Sequence, residues 1–523
     1  MSLQAANPAC AIGPLSSGWF VISIDRVRNV YGPPLTCTPE HELTTPRLGF
    51  APLLFVSAVI PGTNLVRCGS DLNHPIRMDH ARWIGESGSG RALGGLVALT
   101  LLAFAAISGR IAGTPITAAM VFTAVGLIFG SEALGLIDVP PAGETVKLLA
   151  EATLALVLFA DASRIDVRAL RGELSVPLRL LGIGLPLTIL AGFVLALVVF
   201  PQLLWSEALL LAVILAPTDA ALGQAVVTLM RLPSRVRQGL NVESGLNDGI
   251  CVPLFWIVLA IAQAESGAIG DGAAVRLVLE QIGYGILAGV VAGIAAACVV
   301  VVAGQHQHVG GSWLQVVPLA GAGLAFGIAD PIGGSGFIAP FVGGFVFGAI
   351  RRRSGGEVGH LIEELGEIFN AVTFIVFGAV LLGPVLGDVT WSIALYAVLS
   401  LTVVRLIPVA IAMIGTGARR QTLAFLGWFG PRGLASIVFA VLVLEEGGLP
   451  HDGLILTTTY VTIGLSVLAH GLTAAPLANR YASWYESHPR EALGGLEGSD
   501  VREVRWRFGV GHSRAQASPA AAE

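Results

Sequence analysis

Long hydrophobic runs, separated by short polar segments, fill the chain from residue 92 to residue 480. Each run approaches the roughly 20 residues that a helix needs to cross a bilayer, because a helix rises about 1.5 Å per residue. Most runs show little amphipathic periodicity, which is typical of helices that pack in a bundle or face lipid. The pattern predicts thirteen membrane-spanning helices, near residues 92–109, 114–130, 145–161, 176–200, 203–230, 237–263, 275–303, 313–331, 334–350, 363–386, 389–415, 421–444 and 453–479.

Arginine is distributed unevenly among the loops, and this distribution supports the number of spans. Loops that follow odd-numbered spans carry arginine, as in the pair Arg419 and Arg420, with residues 305–312 as the exception. Loops that follow even-numbered spans, such as residues 131–143 and 445–452, carry neither lysine nor arginine. Because positively charged loops stay in the cytoplasm, the alternation predicts a multi-pass protein whose C-terminus is cytoplasmic.

The composition is that of a membrane protein. Of the 523 residues, 54% are hydrophobic and only 12% are charged, whereas a soluble domain carries about twice that charged fraction. The sequence has no basic stripe of the kind that binds nucleic acid and no GxxxxGK[ST] loop that would drive ATP-dependent pumping. The five cysteines include no CxxC pair, so we expect no zinc site, and no motif calls for a cofactor.

The two ends of the chain differ from the hydrophobic part. Residues 1–90 are rich in Pro, Gly, Asn and Thr, and their one apolar run, Leu48–Ile60, is too short to span a bilayer. We interpret this stretch as a disordered arm or an extension of the gene model. Residues 91–482 then form the transmembrane domain, and residues 483–523 form a short cytoplasmic tail.

Four ionisable residues stand in the middle of predicted spans. Counting about 1.5 Å per residue from each span's end places Asp219, Asp248, Arg405 and Arg432 near the midplane of the bilayer. Such residues each cost several kcal/mol unless they are paired or hydrated, and they commonly mark ion pathways. The sequence therefore predicts an ion pathway among these four spans.

Residue spacing on the sixth span places several oxygen-bearing side chains together. Glu243 and Asn247 are four residues apart and share a face of the helix, while Ser244 and Asp248 share the adjacent face. Hard monovalent cations prefer carboxylate, carbonyl and hydroxyl oxygens as ligands. The same helical rise places Glu243 about 7 Å nearer the cytoplasm than the midplane residues.

Two of the spans are predicted to be broken at similar depth. Pro217 cannot donate a backbone hydrogen bond, so helical bonding fails around Val213–Asp219 in the fifth span. Gly430–Gly433 interrupts the twelfth span in the same way. Broken helices at membrane depth line cavities and free carbonyl groups for an ion, and a pair in corresponding places is typical of inverted-repeat transporters.

Four motifs together resemble the bacterial sodium/proton exchangers of the first monovalent cation:proton antiporter family. They read "APTD", "ESGLNDG", "RLIPV" and "GPRGLAS", and the resemblance covers about residues 92–480. It implies an all-α polytopic fold of thirteen helices with inverted repeats, two broken helices that cross, a homodimer and an elevator-like alternating-access cycle. Many relatives read "GLRG" where this chain has Pro431, a difference that strengthens the break.

The resemblance also implies roles for individual residues. Asp248 would be the main carboxylate that binds cation and proton, and Asp219 its partner on the broken helix. Thr218, Ser244 and Asn247 would be neighbouring ligands. Family members with asparagine at this place usually exchange one cation for one proton without net charge, so Asn247 favours electroneutral exchange.

Three further residues have supporting roles, Glu243 and Arg405 under the same resemblance and Arg432 because of its place in the middle of a span. Glu243 would form a structural ion pair with Arg405. We prefer this role to direct binding of the cation. Arg432 would either neutralise helix ends or shape the cavity.

We therefore expect a transporter, not an enzyme, that exchanges Na+ for H+ across the bacterial plasma membrane. K+/H+ exchange on the same scaffold is the first alternative, and Li+ is a further candidate cation, since cavity size decides among these ions. An intramembrane hydrolase is a second alternative, because Asp219 and Asp248 form a carboxylate pair, yet no peptide-binding motif accompanies them. A scaffold without transport is disfavoured by the expensive buried charges.

Overall fold

The computed structural model describes residues 80–488 and 496–498, except 112–113, 138, 166–174, 220–221, 224–225, 227–228, 307–309 and 353–358. The chain divides into two units at Arg82 and Trp83, and the described residues lie almost entirely in the larger one. The expected arm at residues 1–90 thus lies mostly outside the described residues, which begin with a helix at His80. The fold below is that of the larger unit.

The described part of this unit is helical, and it contains no β-strand. Eight of its helices are long and apolar enough to cross a membrane, so the chain is a multi-pass membrane protein. The helices are α1 (His80–Ile111), α2 (Ala118–Phe129), α3 (Glu144–Arg164), α4 (Ser175–Val199), α5 (Trp205–Ile214), α6 (Ser234–Glu265), α7 (Asp271–His306), α8 (Gly311–Ala329), α9 (Ile338–Arg351), α10 (His360–Asp388), α11 (Trp391–Ala412), α12 (Arg420–Trp428), α13 (Leu434–Glu446) and α14 (Asp452–Glu486).

Twelve of the thirteen predicted spans coincide with one helix or, for the twelfth, with two half-helices, which confirms the predicted all-α polytopic fold. The fifth span coincides with α5 in its first half, and much of its second half lies outside the described residues. The twelfth span is divided between α12 and α13, and Phe429–Gly433 between them is not helical. The fifth span begins as α5, which ends at Ile214, and its chain is non-helical from Ala216 to Asp219. Both breaks fall where proline removes a backbone donor.

Glycines allow close packing between helices away from the breaks. A Cβ atom on Gly289 of α7 would lie 2.5 Å from the Ala339 carbonyl oxygen of α9, a separation that no side chain could adopt. Gly344 and Gly348 of α9 lie equally close to the backbone of α3. These contacts join α3, α7 and α9 through their backbones, as small residues do in membrane bundles.

Aromatic and aliphatic side chains join the helices that carry the predicted site. Phe255 of α6 stacks on Phe439 of α13 with ring centroids 4.7 Å apart. Most side chains of α5 and α13 are buried, so these half-helices are enclosed by the other helices. The breaks are therefore held inside the protein, where irregular backbone is tolerated at membrane depth.

A short part of the C-terminal tail packs against α12. The Glu497 carboxylate accepts a hydrogen bond from the Arg419 N–H (2.9 Å) and another from the Thr422 hydroxyl. Tyr485 donates to the Glu497 carbonyl oxygen (3.3 Å), and Leu496 is buried beside it. The first turn of α12 is thus closed by a segment more than seventy residues further along the chain.

Candidate cation site

The two broken helices cross, and each hydrogen-bonds to the backbone of the other. The Asp219 N–H donates to the Pro431 carbonyl oxygen at 2.8 Å. The Ser436 hydroxyl donates to the Ile214 carbonyl oxygen at 2.7 Å. The carbonyl groups that the breaks free are therefore used first to join the two helices.

Arg432 lies on the C-terminal end of α5. Its guanidinium Nη1 donates to the carbonyl oxygens of Ala216 (2.9 Å) and Pro217 (3.3 Å), and the side chain is fully buried. The end of a helix carries about half a negative charge on its unpaired carbonyls, which a guanidinium offsets. Of the two roles considered from the sequence, this geometry corresponds to neutralising a helix end.

Asp219 occupies the complementary position at the N-terminus of α13. Its Oδ2 accepts a hydrogen bond from the Leu434 N–H at 3.1 Å. A Cβ atom on Gly433 would overlap the Asp219 carboxylate, so this approach requires glycine. The N-terminus of a helix carries about half a positive charge, and a carboxylate stabilises it.

The polar face of α6 lies against the first break. The Ser244 hydroxyl donates to the Thr218 carbonyl oxygen at 2.7 Å, and Asn247 Nδ2 donates to Thr218 Oγ1 at 2.6 Å. Because the amide nitrogen faces Thr218, the Asn247 Oδ1 faces elsewhere; it is buried and makes no hydrogen bond with any described residue. Asp248 follows on the same helix, and its side chain is buried too.

A small cavity opens beside these residues. Its volume is about 20 Å³, and its lining includes Thr218, Asp219 and Ser244 together with the apolar side chains of Leu240 and Phe429. A space of this size holds about one water molecule. The cavity thus brings a carboxylate and two hydroxyl-bearing residues around a single small particle.

Glu243 and Arg405 are in contact with each other. Arg405 Nη2 lies 2.6 Å from Glu243 Oε1 and 2.8 Å from Oε2, and both side chains are 2% exposed. A Cβ atom on Gly430 would lie 2.5 Å from Arg405 Nε, so the second break leaves the room that the arginine occupies. This pair joins α6 to α11, and both of its carboxylate oxygens face the guanidinium.

Several polar residues at the crossing were not predicted from the sequence, because they lie outside the motifs that carry the candidate ligands. Ser436 bonds α5, and Ser466 and His470 of α14 bond the second break. Each of these residues stands inside a hydrophobic run. An ionisable residue in the middle of a span commonly marks a functional site, and this rule applied to histidine would have found His470 as well. Asp161, near the end of α3, is half-buried, and its side chain packs against Gly245 of α6.

Comparison with known proteins gives concordant matches. A family profile described as "Sodium/hydrogen exchanger, transmembrane" matches residues 96–480. The K(+)/H(+) antiporter NhaP2 of Shewanella oneidensis is 26% identical over 395 residues, which cover 74% of this chain and 66% of the relative. The Na(+)/H(+) antiporter NhaP of Pseudomonas aeruginosa is 30% identical over 362 residues, which cover 65% of this chain and 81% of the relative.

A solved structure is also similar. The sodium proton antiporter MjNhaP1 from Methanocaldococcus jannaschii, determined at pH 8, superposes with a TM-score of 0.60 and covers 78% of this chain and 100% of its own. The sequence identity is 19%, so the similarity concerns the fold. The present chain spans just under two thirds, 66%, of the length of the NhaP2 relative.

Proposed function

Because the chain belongs to the sodium/hydrogen exchanger family, we propose that it exchanges a monovalent cation for a proton across the bilayer, with Asp248 and Asp219 as the carboxylates of the site. One observation carries the proposal: at the crossing of two broken helices, the buried residues Asp219, Thr218 and Ser244 line a space for one small particle. The relatives' names, which include both Na(+)/H(+) and K(+)/H(+) antiporters, support the reaction class.

Exchange follows from competition for Asp248. Removing a carboxylate from water favours its neutral form, so a proton and a cation compete for the same group. Protonated, Asp248 is neutral and can cross the bilayer interior; deprotonated, it needs a bound cation for the same movement. If the empty, charged site cannot move, each cation carried one way requires a proton carried the other way.

The neighbouring oxygens complete the cation site under this proposal. Asn247 Oδ1 is a buried acceptor with no hydrogen-bond donor among the described residues, and a cation would satisfy it. Thr218 and Ser244 lie on the other side of this amide, where the Ser244 hydroxyl and Asn247 Nδ2 bind Thr218. Asn247 is uncharged, which supports exchange of one cation for one proton.

The remaining charged residues support the site without binding the cation. Glu243 is engaged by Arg405 through both carboxylate oxygens, so it has no free oxygen aimed at the cavity. Arg432 fixes the end of α5 against the second break. These assignments leave Asp248 and Asp219 as the carboxylates available to the cation.

Na+ is our first choice of substrate, and K+ is the second. The cavity beside Asp219 admits one water-sized particle, so the cation would enter largely dehydrated and be selected by how closely its oxygen ligands approach. K+ is kept because the NhaP2 relative is a K(+)/H(+) antiporter by name. We place the protein in the bacterial inner membrane with a cytoplasmic C-terminus, on the basis of loop arginines, and as a homodimer that works by alternating access.

Dye dequenching in everted vesicles tests the proposal. Vesicles that hold the protein are acidified, and Na+, Li+ or K+ is added at several pH values while the internal pH is followed. We expect a cation-dependent rise of the internal pH that Asp248→Asn abolishes. The control is Asp388→Asn, an exposed carboxylate at the end of α10, which should behave as wild type. Cation-dependent proton movement that persists in Asp248→Asn would overturn the assignment.

A further inference from the structure

Two buried residues of α14 face the break between α12 and α13. Ser466 and His470 are one helical turn apart and are 0% and 1% exposed. The Arg432 N–H donates to Ser466 Oγ at 2.7 Å. His470 Nε2 lies 2.9 Å from the Trp428 carbonyl oxygen, which can only accept, so Nε2 carries the proton.

The two backbone groups that these side chains bind would be partners in an unbroken helix. An α-helix joins the N–H of each residue to the carbonyl oxygen four residues earlier, and Trp428 and Arg432 have this separation. The break at Phe429–Gly433 separates the pair. Side chains of α14 therefore occupy the place of a helical hydrogen bond that the break removes.

The two side chains are also joined to each other. Ser466 Oγ and His470 Nδ1 are 3.2 Å apart. In a neutral ring protonated on Nε2, Nδ1 is an acceptor, so the hydroxyl that accepts from Arg432 N–H donates to it. Nδ1 also lies 3.0 Å from the Ser466 carbonyl oxygen, to which an imidazolium would donate instead. In either state the ring connects Trp428 to Ser466.

We infer that Ser466 and His470, here called the break relay, are positioning residues for the cation site. The segment that they hold carries the contacts to the first break: Pro431 accepts from Asp219 N–H, and Arg432 binds the carbonyls at the end of α5. Two residues after Arg432, the Leu434 N–H donates a hydrogen bond to the Asp219 carboxylate. The relay acts on the site through these contacts.

Paired variants test the relay through transport, a readout that rests on the proposed function. Ser466→Ala and His470→Phe remove its hydrogen bonds, and phenylalanine keeps a ring against Trp428. We expect each to raise the KM for Na+ about tenfold, as for a lost buried hydrogen bond, while the maximal rate changes much less. The double variant should raise KM beyond either single one but by less than the sum of their effects, because the two side chains bind different backbone groups and also bind each other.

Conservative and control variants separate positioning from general damage to α14. His470→Gln retains a donor for the Trp428 carbonyl oxygen and should recover most of the affinity. Thr462→Val removes a buried hydroxyl that bonds only within α14, to the Thr458 carbonyl oxygen, and should leave KM unchanged. A His470→Gln variant as impaired as His470→Phe, or a Thr462→Val variant with the same rise in KM, would overturn the inference.

Hydrogen–deuterium exchange of the purified protein gives a readout that does not depend on transport. Peptides covering residues 428–434 should exchange about tenfold faster in Ser466→Ala and His470→Phe and at the wild-type rate in Thr462→Val. Unchanged exchange in the relay variants refutes the relay, and faster exchange with an unaltered KM refutes its role at the site. If wild-type vesicles move no cation, the proposed function fails. The hydrogen–deuterium exchange data would still show whether Ser466 and His470 hold the second break. If His470→Phe does not yield folded protein, Ser466→Ala, which removes one atom, carries the comparison.

Discussion

Asp219 Oδ2 accepts a hydrogen bond from the Leu434 N–H at 3.1 Å, so a carboxylate from the first broken helix closes the N-terminus of the half-helix beyond the second break. Arg432 makes the reciprocal contact, from the second break to the carbonyl oxygens of Ala216 and Pro217 just beyond the end of α5. Each break thus supplies the charge that the other helix end needs. The crossing is consequently sensitive to any atom placed between these groups.

Gly433→Ala introduces such an atom. The added Cβ would overlap the Asp219 carboxylate, which must then leave the Leu434 N–H. We expect transport to fall below a tenth of the wild-type rate at equal protein amount in the vesicles, since the second break cannot keep its contact with the first. Gly323→Ala on α8, where a Cβ meets nothing within 4 Å, is the control. Normal transport by Gly433→Ala would show that this close approach is dispensable.

Asn247→Asp adds a second ionisable carboxylate beside Asp248. The site could then carry one more proton per cation, so transport should acquire net charge and respond to membrane potential. Transport currents on a supported membrane measure this, with wild type expected to give almost none. Asn479→Asp, on an exposed position of α14, controls for added negative charge. An Asn247→Asp variant that transports the cation without a measurable current would contradict the role given to this position.

Removing one partner of the Glu243–Arg405 pair leaves an uncompensated charge. For a buried pair this typically destabilises a protein by ~3–5 kcal/mol, so Glu243→Gln and Arg405→Met should each lower the melting temperature clearly. The double variant should regain part of the loss, because no lone charge remains. Glu486→Gln, which breaks the exposed pair with Arg231, should barely alter melting. Thermal unfolding of the purified protein in detergent distinguishes these outcomes, and equal melting of all variants would argue against a structural pair.

Glu497→Ala removes the carboxylate that closes the first turn of α12. The Arg419 N–H and the Thr422 hydroxyl then lose an acceptor, at a cost of ~1–3 kcal/mol. We expect lower thermal stability and faster proteolysis of the tail, with Glu497→Gln showing a smaller effect because its amide oxygen still accepts. If Glu497→Ala melts and is cleaved like wild type, the packed tail does not stabilise α12.

The sequence was sufficient for the features that depend on neighbouring residues. Hydrophobic length located the spans, and Pro217 and Gly430–Gly433 located both breaks, because bilayer thickness and proline chemistry act locally. The partners of the freed backbone groups could not be predicted in this way. Leu434 N–H on Asp219 joins positions 215 residues apart, and only the packing of the helices brings them together.

Two details show the same limit. Arg432 was left between two roles because a buried arginine has no preferred partner in sequence, and its contacts with Ala216 and Pro217 depend on the crossing. Glu497 lies in a polar tail that resembles solvated chain, yet it is buried against α12. Hydropathy predicts whether a segment lies in lipid or in water. It does not predict which polar groups form hydrogen bonds with each other.

The pairing of charges at the crossing has an electrical consequence. With His470 neutral, the charges there come from five residues: Arg432 and Arg405 contribute +2, Asp219 and Glu243 contribute −2, and these cancel, which leaves the −1 of Asp248. A single bound Na+ or a single H+ brings the total to zero in either case. The cation-bound and protonated forms of the site would then face the same electrostatic barrier in lipid. The transmembrane voltage would act on no net charge in either form.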